Sequence, residues 1–145
     1  MAARTRPYEM ASTLFFVGRV PFLPGTLASI LTCFVIFTFP VLCAQPIFPL
    51  LFAVSSIFVV EKARPRDKDP REIVIDECAG MFITMLWHTV TPLNLFFGLL
   101  SFRAFDILKP FPIKRLEAIR GGAGIVLDDV MAGIYGNMLL LLLGR

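Results

Sequence analysis

Two pairs of adjacent carboxylates, Asp76 with Glu77 and Asp128 with Asp129, stand at the entrances of long uncharged segments. An ionised group inserted into lipid costs about 2.5 to 3.5 kcal/mol, so such pairs either stay solvated at an interface or are held by cations and do chemistry. All four are oxygen donors of the kind Mg²⁺ prefers. Neighbouring positions on a helix point about 100° apart. Each pair can therefore give one acid to a shared site and the other to a second role. Arg103, Asp106 and Lys109 recur every third residue, which puts the first two on nearly one helical face. A guanidinium and an ammonium beside carboxylates suit a bound phosphate, and an internal Arg103–Asp106 ion pair is the plainer alternative. Pro110 is expected to push Lys109 into an extended conformation. Gly121, Gly122 and Gly124 form a turn able to present backbone amides to an anion. Taken singly, each cluster also reads as a helix cap, as acids at a positive helix terminus, or as snorkelling bases.

The elements that must position these groups are helices in lipid. At 145 residues the chain has room for one domain spanning 1–145, and 57% hydrophobic with only 17% charged residues is too apolar for an ordinary soluble protein. An all-α, compact, multi-helix integral membrane protein follows, with its polar motifs gathered on the cytoplasmic face. No cleavage pattern closes a short apolar region after the basic N-terminus, so insertion without a removed signal peptide is expected. Arg4, Arg6 and Glu9 surround an apolar patch, Leu14 to Val17, expected as an interfacial helix. Pro21, Pro24 and Gly25 break regular structure, and Thr26 or Ser29 is placed to cap the helix that follows. From Val20 to Val60 there is no charge, enough for two crossings with a break at Pro40 to Pro49. The charged stretch Glu61 to Glu77 reads as an aqueous loop. Cys78 to Phe102 is divided by Thr91, Pro92 and Asn94 into two pieces, a hairpin if the flanking segments extend its helices and one crossing otherwise, with the hairpin favoured. That hairpin gathers nearly all Lys and Arg on one face, as the cytoplasmic side requires. Gly80, Gly133 and Gly136 let helices approach closely.

Other residues read as inert. Cys33, Cys43 and Cys78 have no metal spacing and are taken as free thiols, with Cys43 in the outer break, open to a reagent. Cys78 has no histidine on its side, which argues against a thiol nucleophile. His88, beside Trp87, reads as interfacial. The net charge of +3 is spread through short mixed loops and not along a basic stripe, so nucleic acid is not a partner. The oligomeric state has no signature in the sequence.

The motifs PGTLAS, IVIDECAG, FRAFDILKPFPI and GGAGIVLDDVMAG, in this order between Gly18 and Gly136, resemble the phosphatidylglycerophosphatase A family of bacterial membrane lipid phosphatases. The resemblance implies Mg²⁺-dependent hydrolysis of phosphatidylglycerophosphate to phosphatidylglycerol and phosphate by a multi-pass protein of the inner membrane, its active site facing the cytoplasm. It implies a functional set of Asp76, Glu77, Arg103, Asp106, Lys109, Asp128 and Asp129. Within that set Asp76, Glu77, Asp128 and Asp129 hold metal, and Arg103 and Lys109 bind substrate with Pro24, Gly25 and Thr26. Ala28 replaces a common glycine of the family, and Arg19 an expected small or neutral residue. Water is the simplest nucleophile, with attack by Asp106 as the alternative. Two other classes use similar acids. A CDP-alcohol phosphatidyltransferase would need an aspartate-glycine step, but Ile107 follows Asp106. A cation-binding or transport protein would not need Arg103 and Lys109.

Overall fold

The computed structural model describes residues 7–63 and 72–144, and these are helical with no strand among them. Arg4, Arg6 and the middle of the charged stretch after Glu61 lie outside the described residues. The order is α1 (Pro7–Ser12), a 3-10 turn (Val17–Arg19), α2 (Pro24–Thr38), α3 (Val41–Ala44), α4 (Ile47–Ala63), α5 (Ile75–Thr84), α6 (Pro92–Leu108), α7 (Ile113–Glu117) and α8 (Gly122–Leu142). The expected break before Pro92 is a loop, whereas the one at Pro40 to Pro49 holds the short α3 and the start of α4, and the prolines explain where helices begin. Pro24 and Pro92 occupy first-turn positions, where a missing N–H is no loss.

The amphipathic N-terminal helix falls earlier than expected. It ends at Ser12, and Leu14, Phe15 and Phe16 form a turn with φ of 47°, 52° and 76°. Thr26 and Ser29 do not cap α2 either. Its N-cap is Leu23 without a side-chain bond, and Ser29 instead donates to the Gly25 carbonyl at 2.9 Å. Cys43 lies in the break as expected, but it is 1% exposed and donates to the Phe82 carbonyl, which closes it to a reagent. His88 is buried within the bundle, while its neighbour Trp87 is 67% exposed.

The buried centre is α5, whose residues from Cys78 to Thr84 are all out of solvent. It packs most extensively against α8, and α2 and α4 close its other sides. Small residues set that distance: a Cβ on Gly80 would come 2.7 Å from the Asp129 carbonyl, and one on Gly133 would strike the Gly80 carbonyl. Phe102 fills the joint between α5, α6 and α8, alongside Met81, Met85 and Leu140.

Helix α5 is only ten residues, about 15 Å at 1.5 Å per residue. Its free carbonyls end inside the bundle, where they must find a partner. Asn137 Nδ2 on α8 supplies it, donating to Ile83, Thr84 and Leu86 carbonyls at 3.2, 3.1 and 2.8 Å. Helix α6 then starts on a Thr91 cap, Oγ1 accepting from the Asn94 N–H at 3.1 Å, and returns antiparallel to α5. Among the described residues α8 is the one helix long and apolar enough to cross a membrane.

Candidate active site

Four helix ends meet at one end of the bundle. The first turn of α5 brings Asp76 and Glu77, and the second turn of α8 brings Asp128 and Asp129. The last turns of α6 bring Arg103 and Asp106, and the start of α2 brings Gly25. One carboxylate oxygen each from Asp76, Glu77 and Asp129 lies within 4.8 Å of the others. Asp76 and Asp129 are 8% and 4% exposed. Asp76 Oδ1 and Glu77 Oε2 are buried and make no hydrogen bond among the described residues. Buried oxygens without donors are costly unless a cation completes them. With no Cys or His in the cluster, the donor set fits a hard divalent ion such as Mg²⁺.

Asp128 is outside that trio. Its Oδ2 receives Lys109 Nζ at 2.8 Å, and its Oδ1 receives the Asp129 N–H at 3.0 Å. Lys109 also meets Glu117 of α7 at 2.9 Å. Burial alone would lower the lysine pKa, but the hydrogen bonds and charges of Asp128 and Glu117 outweigh it, leaving the ammonium firmly protonated. Lys109 reaches inward because it is the left-handed C-cap of α6, with φ 43° and ψ 58°. The expected extended conformation is overridden, since the helix must terminate before Pro110 and the ion pairs hold the turn.

Arg103 pairs with Asp106 at 2.5 Å on one helix face. Its Nε is buried without an acceptor among the described residues and the guanidinium lies near Glu77, so one donor edge remains for an anion. Gly25 is the closest part of the first motif. A Cβ there would strike the Glu77 carboxylate and stand 3.3 Å from Arg103 Nη1. Pro24 starts the helix, and Thr26, two residues on, is half-buried. The glycine turn before α8 does offer an amide to an anion, but the anion is internal: the Gly122 N–H donates to Glu61 Oε2 at the end of α4.

A family model described as phosphatidylglycerophosphatase A matches residues 10–144. The chain belongs to the phosphatidylglycerophosphatase A family. As a member it is a phosphatase, a phosphoric monoester hydrolase. A Bacteroides thetaiotaomicron protein provisionally named a phosphatidylinositol-3-phosphatase is 32% identical, over 90% of this chain and 89% of its own. The phosphatidylglycerophosphatase A of Escherichia coli K12 is 27% identical over 97% of this chain and 86% of its own. That of Haemophilus influenzae is 40% identical over 46% of this chain and 42% of its own. No solved structure matches.

Against this phosphatidylglycerophosphatase A background, two participants had no signal of their own. Glu61 and Glu117 are ordinary charged residues in sequence, and only the fold carries them to Gly122 and Lys109. Asn137 was readable, as a lone amide in the apolar run that ends α8.

Proposed function

We propose that this protein is a Mg²⁺-dependent lipid phosphatase that hydrolyses phosphatidylglycerophosphate to phosphatidylglycerol and inorganic phosphate. It does so as a multi-pass protein of the bacterial inner membrane, with the acid-bearing end in the cytoplasm. The observation that carries this reading is the convergence of Asp76, Glu77 and Asp129 next to a guanidinium with an open donor. Membrane embedding is supported by large apolar side chains turned outward on α2, α4, α6 and α8, among them Phe34, Phe58, Phe96 and Leu141. The cytoplasmic placement is supported by Lys62, Lys109, Lys114, Arg115 and Arg120, which cluster with the acids and not at the far end of the helices.

Asp76, Glu77 and Asp129 would hold the ion, which when bound neutralises phosphate charge and makes water more acidic. The chain's own groups do the rest. Arg103 receives non-bridging oxygens through its free edge, with Asp106 fixing the plane of the guanidinium. Lys109, locked in its charged form, adds a second positive charge that Asp128 and Glu117 orient. Both charges gain as the phosphorus–glycerol oxygen bond breaks and negative charge moves onto the leaving oxygen. Water is the nucleophile, because Asp106 is occupied by Arg103 and is a poor candidate for direct attack.

The deciding assay is phosphate release by the purified protein from phosphatidylglycerophosphate and, in parallel, from phosphatidylinositol-3-phosphate. Faster release from the former, abolished by chelation and restored by Mg²⁺, is the expected result. The name of the Bacteroides relative favours one second reading, the same chemistry on an inositol headgroup. Preference for that lipid would establish it, and no release from either by folded protein would end the phosphomonoesterase mechanism.

A further inference from the structure

A cavity of about 520 Å³ lies between α1, α2, α4 and α5, lined in part by Ile75 and Cys78, which flank the Asp76 and Glu77 pair. Met10 of α1, Leu31 and Val35 of α2, Phe48 of α4 and Phe82 of α5 form its walls. Among the described residues only Thr32 and Cys78 bring polar side-chain atoms, and both are already used. Thr32 Oγ1 donates to the Ala28 carbonyl at 2.8 Å, and Cys78 Sγ donates to the Val74 carbonyl at 3.6 Å. The volume is that of a ligand site, yet the walls offer a polar ligand no partner. Such a space selects hydrocarbon.

Its position relative to the acids is set by two shared helices. Gly25 and Glu77, which meet at the site, begin the same α2 and α5 whose next turns wall the cavity. Leu31 and Val35 follow Gly25 by about 9 and 15 Å along α2, and Cys78 follows Glu77 directly. A chain that runs from the acids along the next turns of these two helices meets the cavity walls. The third observation is the turn at its rim. Leu14, Phe15 and Phe16 are consecutive left-handed residues, a conformation that side chains with a Cβ rarely adopt and that persists where surroundings hold it. Here the Val74 N–H donates to the Ser12 carbonyl at 2.9 Å and ties α1 to the start of α5, placing Leu14 and Phe15 against the cavity.

We propose that this cavity holds one acyl chain of the substrate lipid while its phosphate occupies the acid cluster. This rests on the lipid phosphatase reading, and it makes chain length a determinant of specificity. Val35, 39% exposed and remote from the charged groups, is the position to fill. With Val35→Trp, kcat/KM for dioleoyl phosphatidylglycerophosphate should fall about tenfold, through KM. The deacylated substrate, glycerophosphoglycerol phosphate, has no chain to place and should be turned over as by wild type. Equal behaviour of the variant and wild type on both substrates would overturn the proposal. A second measurement needs no variant: wild-type protein is photolabelled with phosphatidylglycerol carrying a diazirine at the end of one acyl chain. Adducts on Leu31, Val35, Phe48 or Phe82, suppressed by excess phosphatidylglycerophosphate but not by phosphatidylcholine, are expected. Equal suppression by phosphatidylcholine would mean bulk lipid fills the space and would overturn the proposal. If wild type released no phosphate from either substrate, the phosphatase reading would fail separately, and the adducts would still decide the occupant.

Discussion

Lys109 Nζ stands 2.8 Å from Asp128 Oδ2, and this contact binds the end of α6 to the second turn of α8. Asp128 is 5% exposed and Lys109 is its one cation among the described residues, so removing the lysine leaves a buried carboxylate unpaired. Lys109→Met and Asp128→Asn should each reduce phosphate release, and the double variant should lose far less than the sum. A thermodynamic cycle on thermal stability should give a coupling of about 1 to 3 kcal/mol. Additive losses would mean that the two residues act separately.

The same pair sets a pH dependence. The folded pKa of Lys109 is raised above its unfolded value by Asp128 and Glu117, against the lowering effect of burial. Its contribution to stability is therefore complete below the unfolded pKa of about 10.4 and is lost as pH rises through the higher folded value. Thermal midpoints in detergent should hold level for this term from pH 7 to about 10 and decline above. Lys109→Met, compared over the same range, should remove that part of the alkaline decline.

Asn137 gives a prediction about fold and not chemistry. Its amide serves three carbonyls where α5 stops. Asn137→Asp has nearly the same shape but replaces donors with acceptors facing acceptors. It should cost about 1 to 3 kcal/mol or more in stability, with Asn137→Leu close behind. If Asn137→Asp melts like wild type, the amide is not what terminates α5.

Helix positions and the meeting of acids with bases were legible because uncharged runs, prolines and adjacent carboxylates are local signals. Pro92 opens α6 and Pro24 opens α2, and the acids of α5 and α8 do face one another. What sequence could not fix was which member of each pair turns where. Asp128 and Asp129 are chemically alike and differ only in the 100° between them, so the burial of α5 decides that Asp129 looks toward Asp76 while Asp128 looks toward Lys109. Local propensity misled at Lys109, where a proline-biased extended state lost to helix termination and two ion pairs. It misled also at Leu14 to Phe16, where an apolar patch became a left-handed turn held by contacts with α5. Glu61 reads as part of an aqueous loop and Glu117 carries no signal of its own, since their partners lie on other helices.

The division between Asp128 and Asp129 leads to the sharpest test, which reads binding and not turnover. If Asp76, Glu77 and Asp129 hold Mg²⁺, the ion stabilises the folded state by mass action, about 2.7 kcal/mol at a hundredfold excess over Kd. Wild type should show a thermal midpoint that climbs with Mg²⁺ concentration. Asp76→Asn, Glu77→Gln and Asp129→Asn should each flatten that climb, and each should be more stable than wild type without metal, because three buried carboxylates then repel less. Asp128→Asn should keep the Mg²⁺-dependent climb while losing activity through Lys109. Turnover falls by about two orders of magnitude in the trio variants. An Asp128→Asn protein that no longer responds to Mg²⁺, with Asp129→Asn still responding, would reverse the assignment and place the ion beside Lys109.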